Sequence, residues 1–270
     1  MPSLLIAIFT FASYAALSAV FWRGKDKGNI DLLSRGTAGH LILIPILLHG
    51  FLLVSDMFAN GGIDFGLLNA LSLIVWLTLM VYWIARFFYP IGEFLILVLP
   101  LAAIASLLPG LSPAEHQLSY TNLPAFSAHI SAAMLAYSLF TIAVFHAVLI
   151  SQVEKRLHQA SLPPVLRNLP PLMTMESLLF RIIAVGFALL SLTLASGMIF
   201  SEEIFGKAWQ FNHKVIFGFI SWAVFGSLLL GHAFYGWRGR KAVRLTISGF
   251  VFLLLAYLGS KFVMEVLLHR

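Results

Sequence analysis

The sequence predicts an all-α integral membrane protein, a bundle of about eight transmembrane helices with both termini on the non-cytoplasmic side. Three observations carry that prediction. Of 270 residues, 60% are hydrophobic and only 10% charged, with a mean hydropathy of +0.94. That is more apolar surface than a water-soluble core can hide. The apolar residues fall into runs of roughly 17 to 25, the length that crosses a bilayer as a helix. None of the runs alternates with a period of two, so a barrel is excluded and each span must satisfy its backbone internally.

Taken in order, the first span covers 3–22. No basic stretch precedes it, since Met1, Pro2 and Ser3 lead directly into Leu4, so it reads as a retained span rather than a cleaved signal peptide. The second span, 38–56, carries His40 and His49; the third and fourth cover 67–85 and 91–109. The fifth, 128–151, holds His129 near its start and His146 near its end. A connection over 152–176 contains Pro163-Pro164 and leads to Pro170-Pro171, pairs that stop a helix from running through it. It divides the spans five and three within a single membrane domain. Spans at 177–200, 214–236 and 245–267 complete the chain.

Cations set the orientation. Arg23, Lys25, Lys27 and Arg35, then Arg86, then Lys155, Arg156, Arg167 and Arg181, then Arg238, Arg240, Lys241 and Arg244 flank alternate connections. The opposite side has only Lys207, Lys214, Lys261 and Arg270. The positive-inside tendency makes the first group cytoplasmic. The basic residues thus sit beside spans and not on a nucleic-acid-binding face, and the expected surroundings are membrane lipid.

Absent motifs exclude several chemistries. Without cysteine there is no thiol redox couple, no thiolate metal site and no covalent haem attachment motif. No P-loop, H-E-x-x-H or G-x-S-x-G is present.

Histidine is conspicuous, with nine in the chain. Ionisable groups at membrane depth are functional hypotheses, although neutral histidine also bonds neighbouring helices. His129 and His146 lie about 25 Å apart along one helix at about 1.5 Å per residue, so they cannot share a small site. His213 and His232 stand at opposite ends of the seventh span, and His40 and His49 face opposite ways on the second. An outer group, His129, His213 and His269, is thereby separated from an embedded group, His49 and His232 with His40 and His146; His116 and His158 fall in aqueous connections. Two sets of imidazoles suit axial coordination of a flat apolar ligand such as haem, and also suit a proton relay. A divalent ion fits less well, because no carboxylate or second histidine follows at ligand spacing.

"AFSAHISAAMLAYSLF" (125–140) resembles the outer-face histidine segment of the cytochrome c assembly family, the CcsA, ResC and CcmC groups. "SWAVFGSLLLGHAFYGWRGRKAVRLTISGFVFLLLAYLG" (221–259) resembles its next stretch, in which a span ends in His, a basic Trp-Gly turn follows and a Tyr-Leu-Gly span returns outward. "LLNALSLIVWL" (67–77) and "PPLMTMESLLFRIIAVGFALLSLTLASGMIF" (170–200) complete a pattern closest to the YpjD-type, HemX-like branch of the inner membrane.

The resemblance implies haem as cofactor or cargo, held by one histidine pair at the outer face and another within the membrane. His129 matches the first outer histidine and His232 the second membrane histidine; His49 is the implied membrane partner, and His269 or His213 the outer one. The family's tryptophan-rich loop is reduced here to "EEIFGKAWQFNHKVIF" (202–217), where Trp209 remains and His213 stands in place of an aspartate. Trp209, Phe205 and Phe211 offer faces for a macrocycle, and Lys207 or Lys214 could pair with propionates. The expectation is a haem-binding or haem-passing protein, a carrier rather than a ligase. Its partner would be an apocytochrome or another membrane protein.

A rival expectation is a non-enzymatic membrane subunit regulating a transporter, its histidines packing helices or sensing pH. Independently of either, Trp22, Trp76, Trp83, Trp209 and Trp237 stand near span ends, where an aromatic belt alone would place them. Gly186, Gly197, Gly226 and Gly231 suit close helix packing.

Overall fold

The computed structural model describes residues 2–26, 30–58, 63–89, 92–111, 117–118, 124–158, 171–205 and 213–262. It is helical almost throughout, and 8 of its helices are long and apolar enough to cross a membrane. The protein is a multi-pass membrane protein. It packs as two compact units, residues 1–119 with 160–170 and residues 120–159 with 171–270.

The first unit contains α1 (Pro2–Asp26), α2 (Ile30–Arg35), α3 (Thr37–Leu41), α4 (Leu43–Met57), α5 (Leu67–Ala85) and α6 (Gly92–Ala105). The second span is broken into α3 and α4 at Ile42. Pro45 sits in the first turn of α4, where its missing N–H costs nothing because that donor would be orphaned anyway. α1 packs against α6 and α4, and α5 lies between α4 and α6. Tyr14, Phe21, Ile46, Leu79, Tyr82 and Leu99 are fully buried in this core. Two two-residue strands, Ile63–Asp64 and Gln117–Leu118, pair antiparallel and tie the chain after α4 to the chain after α6. Asp64 Oδ1 accepts from the Gly66 amide at 3.0 Å, so this aspartate caps the turn into α5.

The second unit is a four-helix bundle of α7 (Pro124–His158), α8 (Leu172–Phe205), α9 (His213–Tyr235) and α10 (Gly239–Leu254). A π-helical turn, Leu255–Gly259, and a short α11 (Ser260–Phe262) follow. α7 lies along α8, α8 against α9, α9 against α10, and α10 returns to α7, which closes the ring. Phe140 of α7 and Phe225 of α9 stack at 3.9 Å across its centre. Gly186 and Gly249 make room for that pair: a Cβ on either would stand 3.2 Å or 2.9 Å from one of the rings. The Tyr137 hydroxyl donates to the Leu253 carbonyl at 2.6 Å and the Ser221 hydroxyl to the Gly249 carbonyl at 2.8 Å.

The division of spans differs from the five and three read from the proline-rich connection. The fifth span packs with the last three, because its aromatic and small residues interlock with α8, α9 and α10. Helix boundaries shift too. α7 continues to His158, and α10 starts at Gly239 rather than near 245, so Arg240, Lys241 and Arg244 ride on its first turns. The buried residues of α10, Ala242, Val243, Thr246, Gly249 and Leu253, recur every three or four positions and leave those cations on the opposite face.

Candidate functional site

His232 lies in the last turn of α9. The helix ends at Gly236, whose positive φ of 64° lets the Trp237 amide turn back to the Gly231 carbonyl at 3.1 Å, a left-handed C-cap. The turn brings the Trp237 carbonyl within 3.0 Å of His232 Nδ1. A carbonyl can only accept, so Nδ1 carries the proton and Nε2 holds the lone pair. The half-buried ring stacks on Phe180 of α8 at 3.5 Å and 11°. Trp237 is held in turn: Lys241 Nζ sits 3.2 Å above its ring, and the ring fills the space left by Gly231. The Gly239 amide, at φ 55°, donates to Glu176 at 3.0 Å and pins the start of α10 to α8.

His49 is fully buried on α4. Its Nε2 is 2.8 Å from the Ser72 hydroxyl of α5, and that hydroxyl donates its one proton to the Ala105 carbonyl of α6 at 2.8 Å. Ser72 can therefore only accept from His49. The proton is on Nε2 and the lone pair on Nδ1. Nδ1 has no hydrogen-bond partner among the described residues, and neither has the buried hydroxyl of Tyr14, whose ring stands edge-on to the imidazole at 5.9 Å. Orphaned buried polar atoms are rare and costly.

His129, half-buried on α7, follows the same logic. Its Nδ1 is 2.8 Å from the Ser196 hydroxyl of α8, which donates to the Leu192 carbonyl one turn back on its own helix at 2.8 Å. Nε2 is thus the lone-pair nitrogen of this ring as well. His129 borders a cavity of about 290 Å³ at the end of the bundle where α7 and α9 begin. Lys214, Met134, Met198, Phe219 and Tyr257 also face it.

The other histidines are placed differently. His213, exposed at the start of α9, is hydrogen-bonded through Nε2 to Ser260 at 2.6 Å and does not border the cavity, although its neighbour Lys214 does. His40 Nδ1 accepts from Arg86 Nη2 at 3.2 Å. The buried Arg86 guanidinium also donates to the Ser34 and Trp83 carbonyls and lies 4.4 Å from the Phe87 ring centre, so His40 belongs to a helix lock. His146 donates from Nδ1 to the Ile142 carbonyl of its own helix at 3.1 Å. His269, His116 and Trp209 lie outside the described residues, as do the side chains of His158 and Phe205.

Sequence reading missed Ser72, Ser196, Phe180 and Tyr14, the residues that orient or flank the imidazoles. A hydroxyl within an apolar run was the available signal, and it is shared by many serines that merely bond their own helix. Two belt tryptophans are also more than a belt. Trp76 sits mid-helix and donates to the Ile46 carbonyl at 2.8 Å, and Trp83 donates to the Gly39 carbonyl at 3.0 Å.

Comparison with known proteins covers most of the chain. Inner membrane protein YpjD of Escherichia coli (strain K12) is 29% identical over 227 residues, 83% of this chain and 85% of the relative. An uncharacterized 28.8 kDa protein of Azospirillum brasilense is 35% identical over 140 residues, 52% of each. Cytochrome c biogenesis protein CcsA of Prochlorococcus marinus (strain AS9601) is 39% identical over 88 residues, 33% of this chain and 28% of that protein. No solved structure matches. The cytochrome C assembly protein family matches residues 37–268, and with that span covered the chain belongs to this family.

Proposed function

We propose that the protein binds haem in the inner membrane and passes it on as cargo during cytochrome c maturation, without forming thioether bonds itself. Family membership supports the role in cytochrome c maturation. The observation that carries haem is the state of three imidazoles. His49, His129 and His232 each spend one ring nitrogen on a hydroxyl or carbonyl that can only accept, which leaves a lone pair on the other. Fixing a ligand histidine through its second nitrogen is how proteins prepare imidazole for a metal. The donor set fits haem iron, which accepts neutral imidazole, and the orphaned Nδ1 of His49 fits a group that is yet to arrive.

In this reading His49 and His232, each within its own unit, would each offer a lone pair to haem iron at membrane depth, with Phe180 flat against the His232 ring. His129 serves an outer site, and His213, His269 and Trp209 contribute there. The shortened tryptophan loop makes the protein a carrier of haem and not a ligase.

The test is spectroscopic. Detergent-purified protein titrated with hemin should develop a Soret band characteristic of six-coordinate haem, shifted or weakened in His232→Ala and His49→Ala. Protein that is haem-free from haem-replete cells and takes up no added hemin would refute the proposal. His40 and His146, which bond a neighbouring arginine and their own helix, favour a second reading in which the chain is a regulatory membrane subunit. Co-purification of a stoichiometric membrane partner, with spectra indifferent to His49→Ala, His129→Ala and His232→Ala, would establish it.

A further inference from the structure

The cavity beside His129 lies wholly within the second unit, and its construction differs from that of a porphyrin slot. Each wall contributes a small residue: Ala133 from α7, Gly197 from α8, Gly218 from α9 and Ala256 from the π turn. The resulting space is about 290 Å³. A cavity of roughly 150 Å³ admits one benzene, so this one holds about two ring-sized groups and cannot enclose a macrocycle of four pyrroles. From the level of His129 to that of Tyr137 is about 12 Å along α7 at about 1.5 Å per residue.

Its polarity is one-sided. Ile130, Met134, Leu190, Leu194 and Phe219 make the walls apolar, and the methionines Met134 and Met198 are the side chains that adapt most readily to an irregular guest. Most polar groups on the lining already have bonds: the Tyr137 hydroxyl donates to Leu253, the Thr193 hydroxyl to Leu189, and His129 Nδ1 is on Ser196. Lys214 differs. It lines the cavity half-buried, and no described residue hydrogen-bonds or ion-pairs its ammonium. An apolar cavity with a cation on its lining is complementary to an anion that carries one apolar chain.

We infer that this cavity is a binding site for a medium-chain carboxylate amphiphile of the fatty-acid class, its carboxylate at Lys214 and its chain running between α7 and α8 toward Tyr137. A saturated chain advances about 1.25 Å per bond, from a 1.52 Å bond and a 111° angle. The 12 Å depth therefore takes roughly nine or ten bonds, which matches decanoate. The site is separate from the haem-ligand roles proposed above, since it uses neither the lone pair of His129 nor any other histidine.

The experiment uses the full chain in nanodiscs and a decanoate-length carboxylic acid with a diazirine at its far end. Saturable photolabelling of Met134, Leu190, Leu194 or Phe219, at least tenfold lower in Ala133→Phe and severalfold lower in Lys214→Gln but retained in Lys214→Arg, is the expected result. The matching alcohol should label the cavity severalfold less than the acid. Ala256→Leu serves as a second filling variant if Ala133→Phe lowers thermal stability. Non-saturable labelling confined to lipid-facing residues such as Leu230 and Phe234, or cavity labelling unchanged by both filling variants, overturns the inference. So does loss of the label to stoichiometric hemin, which would give the cavity to the macrocycle's edge. Hemin titration of Ala133→Phe distinguishes the two readings: unaltered haem uptake with lost labelling leaves haem binding standing apart from this site.

Discussion

His49 has no exposed surface in the first unit, whereas His129 in the second unit borders a cavity of about 290 Å³. Both rings are oriented by a serine, but the two serines do different work. Ser72 of α5 joins His49 of α4 to the Ala105 carbonyl of α6, so one hydroxyl couples three helices. Ser196 spends its proton on its own helix and couples only α8 to α7. The contrast shows how one chemical device, a hydroxyl that fixes a tautomer, also serves as a structural knot where burial is complete and as a local adjustment where the ring borders open space.

Four substitutions break or sharpen that contrast. The largest effect belongs to Arg86→Met in the closed unit. It strands the Ser34 and Trp83 carbonyls and His40 Nδ1 without a donor, and should cost about 3 kcal/mol, read as a fall in thermal midpoint and lost amide protection over α2 to α5. Ser72→Ala is next: a buried N–H and a carbonyl lose their partner together, at about 2 kcal/mol, measured in the same melts. Ser196→Ala should cost less than 1 kcal/mol, since His129 is half-buried and water reaches it more easily. If Ser196→Ala proves as damaging as Ser72→Ala, the contrast between the units fails. Smallest is Arg240→Gln. Its ion pair to Glu154 spans 3.9 Å with an arginine that is 75% exposed, and its removal should change the melt by no more than about 0.5 kcal/mol.

The spans were legible because lipid leaves little freedom: an apolar run of about 20 residues must be a helix, whatever it packs against. Packing partners were not, since hydropathy is blind to which faces interlock. The proline pairs after residue 160 therefore suggested a five and three division that the Phe140 and Phe225 stack overrides. The break at Ile42 was likewise invisible in a run that stays apolar throughout, although Pro45 marked where a helix could restart. Among the site residues, the histidines announced themselves by their cost in a membrane. The serines that orient them did not, because Ser72 and Ser196 look no different in sequence from Ser131, which bonds its own helix. The Gly-Trp-Arg-Gly turn was legible as a basic stop after His232. Its use of the Trp237 carbonyl to hold the imidazole depends on the positive φ at Gly236, which only the fold displays.

The central claim is that His232 presents a neutral imidazole lone pair to haem iron. Replacing it by glycine and then supplying imidazole tests this most directly. His232→Gly, loaded with hemin, should lose its six-coordinate absorption spectrum and regain it when imidazole is added. A spectrum unchanged by the substitution, or a loss that imidazole leaves untouched while the melt is that of the wild type, would contradict it.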